Sequence, residues 1–378
     1  MPEGWEVVTL ADEFELASGK PARGDRVGYI PVYGGNGVNG RTSEALTHCS
    51  TLVIGRVGEY CGSIYLTDGP AWITDNALWA RRISDGWDLR FATSYLRWRG
   101  FSQVKSQTGQ PLVTQGQIGK MRMPKPPLGE QRRIAEILDA IDEQIAIVVE
   151  LRRKTEAKAD GVFTRLFSTG GEFDSAVVPL RDAAKWLSGG TPNTGTPEFW
   201  DGDIPWISAA SLKDFYISSS SRSVTALGVS SGSRVVPPGT TICIVRGMSL
   251  KNEFRVGVTT KHVAFGQDCK ALIPVDGIDP WYLGYSVRAL EPKVLTLVDE
   301  AGHGTGRLET PLLEKLDIHV PDITAQARKV RIAQAVENEI NIHKVELAKL
   351  AKLKSALMDD LLTGRVRVPV ETKTLAEV

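Results

Sequence analysis

The sequence predicts an α+β protein built twice over, each copy a β-rich segment followed by one long helix. Three observations carry this prediction. Short motifs recur in the same order in the two halves of the chain. Runs of β-branched residues broken by Gly, Pro and Asn precede each helix. Two stretches of about forty residues then carry a narrow apolar seam, the pattern of helices that pair in a coiled coil.

The repeat is collinear. Val7-Val8-Thr9-Leu10-Ala11-Asp12 returns as Val177-Val178-Pro179-Leu180-Arg181-Asp182, and Gly19-Lys20-Pro21 as Gly190-Thr191-Pro192. Ile30-Pro31-Val32 returns as Ile204-Pro205-Trp206. The strand Thr51-Leu52-Val53-Ile54-Gly55-Arg56 returns as Thr241-Ile242-Cys243-Ile244-Val245-Arg246. Asp88 answers Asp279, and Pro124 answers Pro321. Each match is short, and their shared order is what chance would not supply.

The elements follow in turn. Residues 1–127 form the first β-rich domain and 128–168 the first long helix. That helix starts near Leu128, just past Pro124, Pro126 and Pro127, and runs to about Phe167. Its seam is Ile134, Leu138, Ile141, Ile145 and Val148, then less regularly Thr155, Ala159, Val162 and Leu166, with Ser168-Thr169-Gly170 as the stop. Residues 169–322 form the second β-rich domain, 323–365 the second helix and 366–378 a tail. The second helix starts near Thr324 as N-cap, with the seam Ile332, Val336, Ile340, His343, Leu347, Leu350, Leu357 and Leu361, and stops at Thr363-Gly364. Forty helical residues span about 60 Å. The similar lengths favour pairing of the two helices with each other over packing of each on its own domain.

Composition narrows the function. The 378 residues carry 45 basic and 45 acidic side chains, so no global positive charge draws the chain to DNA. Residues 1–127 hold 14 Lys and Arg against 12 Asp and Glu, and residues 169–322 hold 14 against 18. Any DNA-binding charge must therefore be clustered, or partners must add to it. No apolar run approaches the roughly 18 residues of a membrane span, and the N-terminus lacks a secretion pattern, which points to the cytoplasm. Cys49, Cys61, Cys243 and Cys269 form no C-x-x-C pair and read as free thiols.

Several motifs suggest catalysis and fail on context. Gly35-x-Gly37-x-x-Gly40 matches a dinucleotide fingerprint, but it leads into another strand at Leu52, so it reads as a turn. Asp279-Pro280-Trp281-Tyr282 resembles an amino-methyltransferase motif without the companion cofactor domain. Asp88 at the matching position supports a plainer reading, in which both aspartates cap helices. His48, His262, His303, His319 and His343 lack metal or triad spacing, and no P-loop occurs.

The run from Pro126 to Ile145, PPLGEQRRIAEILDAIDEQI, resembles the central conserved helix of type I restriction–modification specificity subunits. LKSALMDDLLTGRVRV, from Leu353 to Val368, resembles the distal helix of that family. Gly189-Gly190-Thr191-Pro192 with Phe199-Trp200 and Asp203-Ile204-Pro205-Trp206-Ile207 resembles the opening of a target-recognition domain. Tyr29 to Gly37, YIPVYGGNG, is similar to another such opening.

The resemblance implies two pseudo-symmetric target-recognition domains joined by an antiparallel coiled coil, each domain reading one half of a bipartite site in double-stranded DNA. It implies no catalysis and no cofactor in this chain. Two modification subunits would bring S-adenosylmethionine, and restriction subunits would bring ATP and magnesium chemistry.

For such a reader, Arg, Lys, Asn and Gln serve base edges, while cations and hydroxyls serve phosphates. The first half offers Asn36, Asn39 and Arg41 in the glycine loop, Arg56 at a strand end, and Arg90, Tyr95, Arg97, Arg99, Lys105, Gln107 and Gln110 further on. The second offers Arg246, Lys251, Asn252 and Arg255 in one loop, and His303, Thr305 and Arg307 in another. Arg56 and Arg246 occupy matching places in the repeat as read above, so both contact phosphate or both form salt bridges. Two other classes stay open: a DNA methyltransferase with unrecognised cofactor motifs, and a coiled-coil adaptor with no role on DNA.

Overall fold

The computed structural model describes residues 2–21, 28–101, 111–168, 175–301 and 304–369. The chain divides into two compact units. One comprises Met1–Glu150 with Lys344–Val378, and the other Leu151–His343. Each long helix contributes a segment to both units.

In the first unit, a four-stranded sheet runs in the order Phe14–Ser18, Ala77–Ile83, Leu52–Gly55, Ile64–Leu66. Leu52–Gly55 is buried along its whole length, as a continuous apolar run in a central strand requires. A smaller sheet orders Gly37–Thr42, Ile30–Gly34 and Trp72–Ile73. Glu6–Thr9 and Arg122–Lys125 pair separately. The core joins Leu10, Phe14, Leu52, Ile54 and Leu78 to the helix Leu89–Arg99 through Phe91 and Leu96. It takes in Ile134, Ala135 and Leu138 of the first long helix, and Leu361 and Leu362 of the second. Lys354 Nζ meets Asp142 Oδ1 at 2.5 Å. The two helix segments of this unit therefore run antiparallel.

The second unit repeats the plan with additions. Its main sheet orders Ala184–Ser188, Cys269–Pro274, Thr241–Ile244, Val256–Thr259 and Tyr216–Ile217. A four-stranded sheet contains Trp200–Ile207, and a three-stranded one orders Arg246–Gly247, Thr305–Arg307 and Asp299–Ala301. Phe167, Tyr282 and Tyr285 pack on Val330 and Ala333 of the second long helix. Thr155 Oγ1 lies 3.5 Å from Glu339 Oε1, so this pair of helix segments is antiparallel as well.

The first long helix runs Leu128–Phe163 and ends in a wider π turn, Thr164–Ser168. Thr169 and Gly170 of the predicted stop lie outside the described residues. The second runs Ile323–Leu362. Its cap is Asp322, whose Oδ1 accepts from Thr324 N at 2.9 Å and Ala325 N at 3.0 Å, so Thr324 is not the N-cap. Its buried face starts at Ala325 and Gln326 and continues through Lys329, Val330 and Ala333, while Ile332 is 41% exposed and leaves the predicted seam. Asp88 and Asp279 cap helices, accepting from Arg90 N and Phe91 N and from Tyr282 N respectively.

Strand pairing corrects the repeat at three places. Ser18 pairs with Leu78, and Leu78 with Ile54. Ser188 pairs with Lys270, and Lys270 with Cys243. Ile54 thus answers Cys243, and Arg56 answers Val245 rather than Arg246. The backbone agrees: Val113 N donates to Arg56 O, and Leu308 N to Val245 O. Lys20 N and Gly190 N both donate to the neighbouring strand, at Ile73 O and Phe265 O, so Gly190 answers Lys20 and not Gly19. The strands Arg122–Lys125 and Asp317–Val320 align Pro126, not Pro124, with Pro321.

Candidate nucleic-acid interface

The glycine loop of the first unit is a tight hairpin. Ile30–Gly34 and Gly37–Thr42 close around Gly35 and Asn36, with Gly34 opposite Gly37 and Gly37 at φ +91°. A Cβ on Gly55 would meet Gly35 O at 2.3 Å, so the turn rests directly on the end of the central strand. Asn36, Asn39 and Arg41 are exposed on this hairpin. Arg41 Nη1 donates to Tyr29 O at 2.8 Å, and Tyr29 is 81% exposed. Arg56 follows the same strand end. Its Nη1 reaches Ser18 Oγ at 3.5 Å, and its Nε is buried without a hydrogen-bond partner among the described residues. Hairpin and arginine thus form one patch.

The helix Leu89–Arg99 contributes less than its sequence suggests. Arg90 bonds Asp88 at 3.0 Å and Asp139 of the long helix at 3.1 Å, which makes it a domain-to-helix tie. Tyr95 is a core residue, 7% exposed, and burial raises its pKa, so its side chain is not available to DNA. It lies on the inward face of an amphipathic helix beside Phe91 and Leu96. Arg97 Nε donates to Ile64 O at 3.0 Å, which turns it toward its own sheet. Arg99 is exposed in the last turn. Lys105, Gln107 and Gln110 lie outside the described residues.

In the second unit, Arg246 sits directly opposite Arg307 in a two-rung strand pair, and Thr305 lies on the same strand as Arg307. Lys251 is paired with Glu300, and that contact holds the Glu300 carboxyl below its usual pKa. Asn252 ends the short turn Ser249–Lys251, its N–H bonding Ser249 O at 3.0 Å. Arg255 Nε donates to Glu253 Oε2 at 2.8 Å. His303 lies outside the described residues. The loop residues are therefore brought together, but Lys251 and Arg255 already have carboxylate partners.

Sequence reasoning missed the residues that fasten domain to helix. Gln131 and Gln326 are both fully buried and make the same three bonds. Gln131 Oε1 accepts from Asp88 N at 2.9 Å, and its Nε2 donates to Gly86 O at 2.9 Å and Pro126 O at 2.7 Å. Gln326 does the same with Asp279 N at 2.8 Å, Gly277 O at 3.0 Å and Pro321 O at 2.8 Å. The signal was present: Asp85-Gly86-Trp87-Asp88 matches Asp276-Gly277-Ile278-Asp279, and a Gln follows five residues after each Pro.

Glu130, nearly fully buried, is held by Arg367 Nε at 2.7 Å, Arg367 Nη2 at 2.9 Å and Trp5 Nε1 at 2.9 Å. Glu337 accepts from Tyr216 Oη at 2.8 Å, Tyr285 Oη at 2.5 Å and Arg288 Nη1 at 2.6 Å. Burial, then the Glu337 bond, drives the Tyr285 pKa far up. Among the described residues no helix is long and apolar enough to cross a membrane.

A family model described as type I restriction modification DNA specificity domain matches residues 2–157 and 173–352. The chain is 25% identical over 223 residues to the EcoR124I/EcoR124II specificity subunit of Escherichia coli. That alignment spans 58% of this chain and 54% of the relative. It is 23% identical over 414 residues to the MjaVIII specificity subunit of Methanocaldococcus jannaschii, covering 97% of this chain and 94% of that one. In fold it is similar to the S subunit of a type I restriction–modification system from M. genitalium, with a TM-score of 0.66 at 18% identity. That match covers 95% of this chain and 96% of the other. A chain from a type I system solved to explain complex assembly matches with a TM-score of 0.63 at 18% identity, covering 97% and 99%.

Proposed function

This chain belongs to the type I restriction modification DNA specificity family, and from that premise we propose that it reads DNA without catalysing a reaction on it. Residues 1–127 and 169–322 each read one half of a bipartite site in double-stranded DNA. Residues 128–168 and 323–365 dock two modification subunits and set the distance between half-sites, and 366–378 form a tail. The modification subunits bind S-adenosylmethionine and transfer the methyl group. Restriction subunits, working with ATP and magnesium in the cytoplasm, act on DNA that this chain has selected.

One observation carries the reading. The same backbone ladder position holds Val57 opposite Leu112 in the first unit and Arg246 opposite Arg307 in the second. A duplicated frame that keeps its hydrogen bonds and changes its surface side chains suits two domains reading different sequences. The hairpin patch of Asn36, Asn39, Arg41 and Arg56 serves the first half-site. The loops holding Arg246, Lys251, Asn252, Arg255, Thr305 and Arg307 serve the second. Lys251 and Arg255 must exchange their carboxylate partners for DNA, which weakens their net contribution.

The test is co-expression with modification subunits followed by genome-wide mapping of methylated bases. Methylation at one asymmetric, two-part sequence is expected only when this chain is present. Methyl transfer by the purified chain alone, or methylation by the complex without sequence selection, would refute the reading.

A further inference from the structure

We propose that Arg246 and Arg307 together grip one phosphate of the DNA backbone; the inference rests on the DNA-reading function above. The two residues face each other across an antiparallel strand pair of two rungs. Directly opposed residues on such a ladder have Cβ atoms about 5 Å apart, and like charges there repel. The neighbouring cations are neutralised, Lys251 by Glu300 and Arg255 by Glu253. Arg246 makes no side-chain ion pair among the described residues. For Arg307 the nearest carboxylate oxygen is on Glu309 at 3.8 Å, beyond hydrogen-bond reach. Asp299 completes the rung on the far side of Arg307 without forming an ion pair with it among the described residues.

The fold does not need this charge. The first unit closes the corresponding rung with Val57 and Leu112, so an apolar pair serves the same backbone. Two exposed arginines therefore stand directly opposed on the ladder, and Glu309 and Asp299 offset the charge of Arg307 while none of the described carboxylates pairs with Arg246. An anion between them removes the repulsion and accepts hydrogen bonds from both, the geometry that Arg pairs offer to phosphate. Next to them Met248 is 77% exposed at the loop tip, so the strand pair opens onto solvent.

The decisive variant transplants the first unit's rung: Arg246→Val with Arg307→Leu, studied in the assembled complex with modification subunits. Its affinity for a duplex carrying the mapped site should fall tenfold to a hundredfold at about 0.1 M salt. The slope of log K against log salt should flatten by about 0.9, the release expected for one phosphate. The methylated sequence should not change, and the thermal midpoint should hold or rise, because a repulsion has gone.

The single variant Arg246→Gln, which keeps an exposed polar side chain, covers the case in which the double variant misfolds. It should lose part of the affinity and flatten the slope in part. Unchanged affinity and slope in either folded variant overturn the proposal. So does relaxed reading of the second half-site with an unaltered slope, which would make the arginines base readers. If the unaltered complex itself fails to select DNA, the function above falls, and this inference falls with it.

Discussion

In the first unit the head of the long helix is gripped by a buried carboxylate, Glu130, clamped by Arg367 and Trp5. In the second unit the equivalent residue is Ala325, and the helix is gripped about three turns further along, at Glu337, by Tyr216, Tyr285 and Arg288. Arg288 also stacks 4.4 Å from the Phe163 ring and 4.5 Å from Phe215. Between these different clamps, one device is identical in both units, the buried glutamine that bonds three backbone groups. The contrast separates what the duplicated frame requires from what each copy found for itself. Backbone groups at that corner have no alternative partner, whereas a helix can be held by charge or aromatics at many points along its length.

The largest effect should come from breaking the shared device. Gln131→Leu strands one N–H and two carbonyls, and at roughly 1–3 kcal/mol per buried unsatisfied group the first unit should lose about 3 kcal/mol or more. Gln326→Leu should cost the second unit the same. Hydrogen exchange read separately on Leu89–Arg99 and on Pro280–Ala289 checks this. A large loss from one variant and none from the other would mean the two latches are not equivalent.

A smaller and one-sided effect is expected at the clamp. Glu337→Leu removes the acceptor for two phenols and a guanidinium, and about 2–4 kcal/mol of local stability should go with it. Faster exchange should appear in the second unit only. Loosening of amides between Leu52 and Gly55 as well would show that the units do not hold their helix segments independently.

The smallest effect belongs to Arg90→Ala. Arg90 is 43% exposed and its partner Asp139 is half exposed, so less than about 1 kcal/mol should be lost. The methylated sequence should stay the same, because Arg90 serves the domain-to-helix contact. A changed first half-site in methylation mapping would return Arg90 to the DNA interface.

How far the sequence could be read follows from the range of each interaction. The Asp88 and Asp279 caps were legible because a cap bonds residues two or three positions ahead. The long helices were legible from the spacing of their own apolar residues, though not the choice between Val330 and Ile332, which depends on what packs opposite. The candidate contacts fared worse. Tyr95 and Arg90 have the composition of DNA contacts, and only packing turned one inward and tied the other to a helix 49 residues away.

By itself the sequence determined that the chain is a duplication, that two long helices divide its β-rich halves, and that no motif for chemistry is in its proper setting. Those properties reside in order, spacing and near neighbours. The tertiary structure alone decided that Arg56 answers Val245, leaving Arg246 opposite Arg307 where the first unit has an apolar pair. A slip of one residue along a strand is nearly invisible in a short sequence match. On the sheet it turns every side chain to the opposite face, and hydrogen bonds between distant strands are what fix it.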